Sequence, residues 1–360
     1  MLLLLFIPVC VFAESLHSPT WGFSVDLPEG YDYIDGNAKD RFSFAGPGGI
    51  QFDLLVYNGV FKTIEELVND INRKLGNQGG VDFFKYRNKQ AAVIELSFGD
   101  SAGWGLCIEL AGTPAPMLLA LSYDPQGRDG FDLFHMSALD SIIPSEEERH
   151  YPGPIMEYSY PRGEAKRVPL ALNGVSAVIH ENDAEAAQVL IEREYMVLTN
   201  YVLTEYWQQA WIRYYRFVYR DSRGRIADAA SALVRNWNAP AQRDLAQKAL
   251  TFVQGFKYER HPEGSDFVNL VAAVTEGRGD CDSRAMLWAI ILAGADIRAA
   301  IMVSRQHSHA MGLADIPGTG ARFEAHGSRW LVAETTANVD IGLIAQDVSD
   351  TQSWLGVVFD

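Results

Sequence analysis

Residues 275–293 read TEGRGDCDSRAMLWAIILA, and this stretch decides the fold of the C-terminal part of the chain. Gly277 and Gly279 permit a tight turn. The apolar run from Met286 to Leu292 predicts a buried helix that begins beside Cys281. A cysteine in the first turn of a helix lies near unpaired amides and the positive end of the helix dipole, which lower the pKa of its thiol. We therefore predict that Cys281 is a nucleophile.

Two residues that follow in the sequence suit the chemistry of a thiol. His309 lies in HSHAMGLAD and Glu334 in WLVAETT, and both segments are typical of strands. A histidine can take the thiol proton, and an acid can orient the imidazole and stabilise its charged form. The sequence therefore predicts a triad of Cys281, His309 and Glu334.

The residues around the predicted nucleophile have expected roles of their own. Gly279, Asp280 and Asp282 form the turn, and the first amides of the helix can donate to an oxyanion. His307 lies two residues before His309, so on a strand both side chains would share one face. His307 is therefore the alternative general base, or a helper of His309.

Two alternatives compete with the catalytic interpretation of these residues. A zinc ion could bind Cys281, His307 and His309, but no further ligand lies at a recognisable spacing, and we expect neither a metal nor a cofactor. A cysteine at a buried helix start can also be purely structural, either free or in a disulfide with Cys107.

The stretch 277–302, followed by HSHAMGLAD and WLVAETT, resembles the transglutaminase-like superfamily over residues 252–344. The family pattern has a cysteine after Gly-x, then His-Ala-Trp, and then Asp-x-Thr. The resemblance implies a papain-like α+β core and acyl transfer from amides by Cys281, His309 and Glu334. This sequence departs from the pattern at two positions, because Met311 replaces the usual tryptophan and Glu334 the usual aspartate.

Residues 18–145 predict a separate α+β module. Alternating segments such as Trp21–Pro28 and Phe52–Tyr57 indicate strands, and Thr63 with Glu66 forms a capping box before an amphipathic helix. The predicted order is β-β-β-α-β-β-β-α, which favours an antiparallel sheet covered by helices. This order and the segment GFSVDLPEGY resemble PsbP/Mog1-like modules. The resemblance implies a docking module for a protein or envelope partner.

The middle of the chain predicts a linker over 146–165 and a hairpin with helices over 166–250. Asn173 and Gly174 mark the hairpin turn, and the segment Arg223-Gly224-Arg225 is predicted as a turn between helices. We expect this region to pack on a C-terminal domain, 251–360. We therefore expect an α+β fold with an N-terminal antiparallel sheet and helices, a helical middle region and the C-terminal α+β core that the transglutaminase-like resemblance implies.

Composition and the N-terminal residues indicate the partners and the cellular location of the protein. A formal net charge of -16 excludes a nucleic-acid partner, because DNA and RNA require a basic surface. The apolar run from Leu2 to Phe12 is too short to cross a bilayer, which needs about 20 residues. It is typical of a signal peptide, here residues 1–13, and predicts an exported, periplasmic or envelope-associated bacterial protein without a transmembrane span in its mature form. Acylation of Cys10 is the alternative.

These observations together predict an exported cysteine protease or transglutaminase-like enzyme that acts on amide bonds of protein or peptide substrates. Hydrolysis is favoured over transamidation because water is always available and no residue marks an amine site. The alternative is a catalytically inactive transglutaminase-like protein that serves as a binding or assembly module of the cell envelope.

Overall fold

The computed structural model describes residues 15–262 and 264–359. The predicted signal peptide and Cys10 therefore lie outside the described residues. The described chain divides into two compact units. The first unit consists of the residues up to Glu146 together with Tyr201–Trp211, and the second of Glu147–Asn200 together with the residues from Ile212 onward.

The first unit is built on one large antiparallel sheet. In chain order its elements are β1 (Leu16–His17), β2 (Ser24–Val25), β3 (Asp32–Gly36), β4 (Arg41–Ala45), β5 (Gln51–Tyr57), α1 (Ile64–Leu75), β6 (Val81–Tyr86), β7 (Lys89–Phe98), β8 (Ser101–Glu109), β9 (Met117–Asp124) and α2 (Asp132–Asp140). Among the described residues, the main sheet has seven strands in the order β3-β4-β5-β9-β8-β7-β6. Strands β1 and β2 form a separate pair.

Helix α1 shows how the sequence places a helix on this sheet. The Thr63 hydroxyl accepts a hydrogen bond from the Glu66 amide at 3.2 Å, as the capping box predicts. The Glu66 carboxylate accepts from the amide of Lys62 at 2.8 Å, one residue before the position that a capping box requires. The buried face of α1 packs into a core cluster with β7, β8 and β9. The helix ends at Gly76, which has a φ of 65°.

Two strands of the main sheet were not predicted. Both β3 and β6 are edge strands. Four of the five residues of β3 and three of the six residues of β6 are exposed, so that neither has the alternating pattern that marks a half-buried strand. The predicted strand from Trp21 to Pro28 is wrong for most of its length, since only Ser24–Val25 pairs, with β1. The prediction of an α+β fold with an antiparallel sheet is confirmed.

The second unit carries most of the helices and a smaller sheet. Its elements are α3 (Pro154–Ser159), β10 (Ala165–Pro169), β11 (Ser176–His180), α4 (Asp183–Thr199), α5 (Trp207–Arg225, from Ile212 onward), α6 (Ala227–Trp237), α7 (Gln242–Gln254), β12 (Lys257–Tyr258), α8 (Leu270–Glu276), β13 (Arg278–Gly279), α9 (Cys281–Ala293), β14 (Ala299–Ser304), β15 (His309–Ala314), β16 (Arg322–Ala325), β17 (Ser328–Ala333) and β18 (Leu355–Val358). Strands β14 to β18 form an antiparallel sheet in the order β16-β17-β15-β14-β18.

Helix α9 lies directly on this sheet, against β14 and β15. Its contact with β15 is close because Gly312 has no side chain: a Cβ there would lie 2.4 Å from Cε3 of Trp288. Trp288 is fully buried, and its Nε1 donates to the carbonyl of Ala246 in α7 at 3.0 Å. The helix that carries Cys281 is therefore held between α7 and the strand that carries His309.

The helical region differs from the sequence prediction in two places. The predicted linker contains α3, which begins with Pro154 at its first position. The segment 223–225 is the last turn of α5 rather than a separate turn. Gly224 fits there because a Cβ would lie 2.6 Å from the carbonyl oxygen of His150, so glycine serves close packing and not a change of direction. The predicted hairpin is confirmed as β10 and β11.

A buried ion network anchors the end of α5. The Arg225 guanidinium donates from Nε and Nη2 to Asp221 at 2.7 and 2.8 Å, and from Nη1 to Asp183 at 2.9 Å. Asp183 also accepts two hydrogen bonds from Arg162. Arg225, Asp183 and Asp221 are all buried, so each charge depends on its partners.

Candidate active site

Three short elements build the turn that delivers Cys281. Helix α8 ends at Gly277, whose φ of 67° is the left-handed conformation that favours glycine. Strand β13 follows and pairs in parallel with β12. Asp280 is then the N-cap of α9, and its carboxylate accepts from the amide and hydroxyl of Ser283 at 2.8 and 2.5 Å. Gly279 lies so close to Ser283 that a Cβ would be 2.9 Å from the serine Cβ. Cys281 is the first residue of the helix.

The Cys281 side chain is buried, with 5% of its surface exposed. The backbone amide of Ala310 in β15 lies near Sγ, where it favours the thiolate. The thiol donates to Oδ2 of Asp282 at 3.6 Å, and the Tyr215 hydroxyl donates to the other oxygen, Oδ1, at 2.6 Å. Sγ thus lies near the residue after His309, and hydrogen bonds through Asp282 connect it to Tyr215 in helix α5.

The pKa of the Cys281 thiol is raised, and the prediction of a lowered pKa is wrong. Burial is the largest cause; the charges of Asp282 and Asp280 add to it, while the backbone amide of Ala310 acts in the opposite direction. The carboxylates on either side of the cysteine offset the positive end of the helix dipole. Cys281 therefore rests as a thiol, and a base has to remove its proton.

His309 and Glu334 form a hydrogen-bonded pair. The Nε2 atom of His309 lies 2.9 Å from Oε2 of Glu334. The second carboxylate oxygen, Oε1, accepts from the amide and the hydroxyl of Thr336 at 2.8 and 2.6 Å. Because an ionised carboxylate can only accept, Nε2 carries the hydrogen and Nδ1 is left as the basic nitrogen.

The charge of Glu334 is stabilised by these contacts. Burial alone would raise the pKa of Glu334, but the hydrogen bonds from His309 and Thr336 outweigh it and hold the pKa below its ordinary value. Both partners are largely buried, with 18% of the His309 and 11% of the Glu334 side chain exposed. The glutamate therefore acts as an ionised acceptor for His309.

The strand order brings the pair together. Strands β15 and β17 are antiparallel neighbours, with Gly312 opposite Ala333. His309 is the first residue of β15, and Glu334 directly follows β17, so both lie at the same end of the sheet. Met311, which replaces the tryptophan of the family pattern, is buried in the core of this sheet.

His307 does not lie on a strand, contrary to the prediction. It belongs to the turn 305–308, and its backbone amide donates to the Ser304 hydroxyl at 3.2 Å. The His307 ring stacks on Trp354, with the ring centroids 5.6 Å apart and the planes inclined by 26°. Since Glu334 contacts His309, the structure favours His309 over His307 as the base.

Three residues of the site were not identified from the sequence. Tyr215 and Trp354 lie far from the motif in the chain, and no local pattern distinguishes them from other aromatic core residues. Arg284 is buried, and it donates to the carbonyls of Gly279 at 3.0 Å and Phe256 at 2.7 Å. It thereby braces the turn before Cys281. The sequence offered one indication of the role of Arg284, namely a charged residue in a mostly apolar helix.

The first turn of α9 offers donors for an oxyanion. The Asp280 carboxylate occupies the Ser283 amide, and the Asp280 carbonyl accepts from the Arg284 amide at 3.2 Å. The two amides before them, of Cys281 and Asp282, belong to the group that helix geometry leaves unpaired. They lie beside Sγ, where a negative oxygen would form after thiol attack. Asp280 itself acts as the cap.

Other predictions from the sequence concern metals, disulfides and membranes. Within residues 15–262 and 264–359, no three histidine, cysteine or acidic side chains are grouped closely enough to hold a metal ion. Cys107 and Cys281 are both free and buried. Every helix in the described part of the chain is too short or too polar to cross a bilayer.

Comparisons with known proteins give only distant likenesses. No family model matches the chain, and no curated protein matches it. The solution structure of the cyanobacterial PsbP (CyanoP) from Synechocystis sp. PCC 6803 matches with a TM-score of 0.28 and 11% identity, over 38% of this chain and 95% of that chain.

A second likeness is a crystal structure, at 1.50 Å resolution, of a protein from Bacteroides thetaiotaomicron VPI-5482. It matches with a TM-score of 0.26 and 12% identity, over 62% of this chain and 79% of that chain. At these TM-scores neither likeness carries an argument about function, which therefore rests on the geometry of the site.

Proposed function

We propose that this protein is an exported transglutaminase-like thiol enzyme that hydrolyses amide bonds in protein or peptide substrates of the cell envelope. One observation carries the proposal. Helix α9, which begins at Cys281, packs against β15, which begins at His309, and His309 is hydrogen-bonded through Nε2 to Glu334. Cys281 and His309 thus lie where α9 contacts β15, Glu334 follows the neighbouring strand β17, and Nδ1 of His309 is available for the thiol proton.

The first half-reaction forms a thioester. His309 Nδ1 takes the proton from Cys281 as Sγ attacks the carbonyl carbon of the amide, and the carbonyl oxygen becomes an oxyanion. The amides of Cys281 and Asp282 donate to that oxyanion. The carbon–nitrogen bond then breaks, His309 returns the proton to the departing nitrogen, and the amine leaves. Glu334 stabilises the imidazolium between the two proton transfers.

The second half-reaction restores the thiol. A water molecule attacks the thioester carbon, and His309 takes one of its protons. The carbon–sulfur bond breaks, Sγ recovers the proton from His309, and the carboxylic acid leaves. Because Cys281 rests as a thiol, the proton transfer to His309 accompanies the attack and does not precede it.

Trapping of the acyl-enzyme tests this proposal. The full chain is incubated with envelope peptides, quenched with acid and examined by mass spectrometry for a thioester on Cys281. We expect an adduct in wild type and in C107A, whose cysteine is buried in the other unit, and none in C281A. His309→Ala should slow formation of the adduct by about 10²-fold or more, the range typical of general base catalysis. Absence of both the adduct and peptide cleavage in wild type would refute the proposal that this protein is an amide-hydrolysing enzyme.

A catalytically inactive binding or assembly module is the second candidate. The observation in its favour is that Cys281 is only 5% exposed and has a raised thiol pKa. In that case peptides would leave no thioester, although iodoacetamide would still modify Cys281 at high pH. The N-terminal module would then supply the function, by docking to a protein or envelope partner.

A further inference from the structure

Asp282 stands between the nucleophile and a tyrosine. Its Oδ2 accepts the hydrogen of the Cys281 thiol, with 3.6 Å between oxygen and sulfur, and its Oδ1 accepts from the Tyr215 hydroxyl at 2.6 Å. Tyr215 is itself buried in α5, so it fixes the position of the carboxylate. The proposed mechanism assigns no role to the Asp282 side chain.

Titratable groups surround Asp282. The titratable groups that face it are Cys281 and Asp280 from α9 and its cap, Tyr214 and Tyr215 from α5, Asp266 from the loop before α8, and His309 from β15. In the described part of the chain, no lysine or arginine lies within ion-pair distance of Asp282. Burial raises the pKa of Asp282, while the hydrogen bonds from Tyr215 and Cys281 act in the opposite direction.

A thiol has one hydrogen and can donate it to one strong acceptor at a time. While Sγ–H points to Asp282, it does not point to Nδ1 of His309. Productive attack therefore requires the hydrogen to turn from the carboxylate to the imidazole. A carboxylate beside the sulfur also disfavours the thiolate, since two negative charges would lie close together in a poorly solvated site.

We infer that Asp282, anchored by Tyr215, is a positioning residue that restrains the nucleophile by holding the Cys281 hydrogen away from His309. This inference rests on the proposed function of Cys281 and His309. The restraint keeps the sulfur protonated and unreactive towards general electrophiles, and the thiol becomes reactive when its hydrogen passes to His309. A purely structural Asp282 would stabilise the start of α9 without influencing the reactivity of the thiol.

The test measures alkylation of Cys281 by iodoacetamide in the full chain between pH 5 and 10, with the modified residue identified by mass spectrometry. In Asp282→Asn we expect about a tenfold faster reaction at pH 7, the factor given by a fall of about one pH unit in the midpoint of the rate profile. Tyr215→Phe should lie between wild type and D282N, because the carboxylate keeps its charge but loses its anchor. D315N changes an exposed carboxylate that pairs with Arg298 and should match wild type.

The outcomes separate this inference from the proposed function. A D282N rate equal to or below that of wild type overturns the restraint, even where wild type forms the acyl-enzyme. An acceleration by D282N that is lost when His309 is also replaced, with no acyl-enzyme in wild type, supports the restraint and refutes the proposed catalysis, whereas an acceleration that persists without His309 overturns the restraint. Should D282N not fold, Asp282→Ser is the second variant, and it carries the same expectation because it is smaller and uncharged.

Discussion

The indole ring of Trp354 lies edge-on to the imidazole of His309, with the ring centroids 6.1 Å apart and the planes inclined by 67°. The same indole stacks on His307, and its Nε1 donates to the carbonyl of Val348 at 3.0 Å. Trp354 shares a buried cluster with Met311. An aromatic contact to the histidine therefore comes from the segment before β18, although position 311 carries no aromatic side chain.

Removal of the contact with Trp354 should leave the imidazole of His309, the proposed base, less firmly held in position. We expect Trp354→Ala to reduce the free energy of unfolding by about 3–5 kcal/mol, the usual range for truncating a buried tryptophan. It should also slow the formation of the acyl-enzyme, because the ring of His309 loses one wall. Urea unfolding and the rate of thioester formation check these two effects. Trp354→Phe keeps an aromatic ring and should retain most of the rate; an equal loss in both variants would contradict a role for the ring contact.

Neutralisation of Glu334 should impair catalysis and change the acid stability. In Glu334→Gln the imidazolium loses its charged partner, so acyl-enzyme formation should fall by about 10²-fold or more. The pKa of Glu334 lies below its ordinary value near 4.5, so its contribution to stability is present above that value and disappears as the pH falls through the folded pKa. Wild type and E334Q should therefore converge in stability at low pH.

Unfolding by urea at a series of pH values measures this convergence. Glu324→Gln is the matched control, since Glu324 lies on the neighbouring strand β16 with an exposed side chain. A constant difference between wild type and E334Q at every pH would show that the carboxylate charge does not matter for stability.

A buried histidine should make the first unit sensitive to mild acid. His135 Nδ1 lies 2.9 Å from the Ser122 hydroxyl, and burial lowers the pKa of His135 from 6.5 to about 4, against the opposing charges of Asp132 and Asp124. Below pH 6.5 the unfolded chain binds a proton that the folded chain does not, so stability should fall as the pH drops from 6.5 to 4. The expected loss is on the order of 3 kcal/mol.

The variant His135→Gln can keep a hydrogen bond to Ser122 without titrating, so its stability should change less over this pH range. His17→Gln is the control, because His17 makes a similar contact with Ser24 at 3.0 Å but is exposed. Chemical unfolding at pH 4 to 7, followed by circular dichroism, compares the three proteins. Identical slopes in all three would exclude His135 as the source of the acid sensitivity.

The buried network at the end of α5 should be costly to break. Arg225→Met leaves the carboxylates of Asp183 and Asp221 buried with fewer partners, and we expect a loss of about 3–5 kcal/mol. Arg41→Met breaks an ion pair of comparable length, 2.8 Å to Asp35, at the surface and should cost less than about 1 kcal/mol. Denaturant titrations of both variants give the comparison. A similar fall in the free energy of unfolding in both variants would mean that burial does not determine how much these ion pairs contribute to stability.

The sequence predicts those parts of the structure that depend on local chemistry. The cap at Thr63, the hairpin at Asn173 and Gly174, and the helix that begins at Cys281 all follow from residues within a few positions of one another. The edge strands β3 and β6 were missed because exposure removes the alternation that marks a strand.

The electrostatics of the candidate site depend on contacts between distant segments. The hydrogen bond by which Tyr215 anchors Asp282 joins positions 67 residues apart, which no spacing rule connects. The position of His307 depends on a positive φ of 46° at Ser308. Serine rarely adopts this conformation, and no pattern in the sequence predicts it. Folding therefore decides which histidine meets the acid.

Strand β18 forms one edge of the sheet that carries His309 and pairs with β14, and Trp354 immediately precedes β18. During synthesis, Cys281, His309 and Glu334 leave the ribosome before residues 354–358 do. A nascent chain therefore contains all three residues of the proposed triad before Trp354, whose ring contacts His309, has been added. Catalytic competence would be gained only after translation has passed Val358, so the order of synthesis itself would delay the appearance of an active thiol.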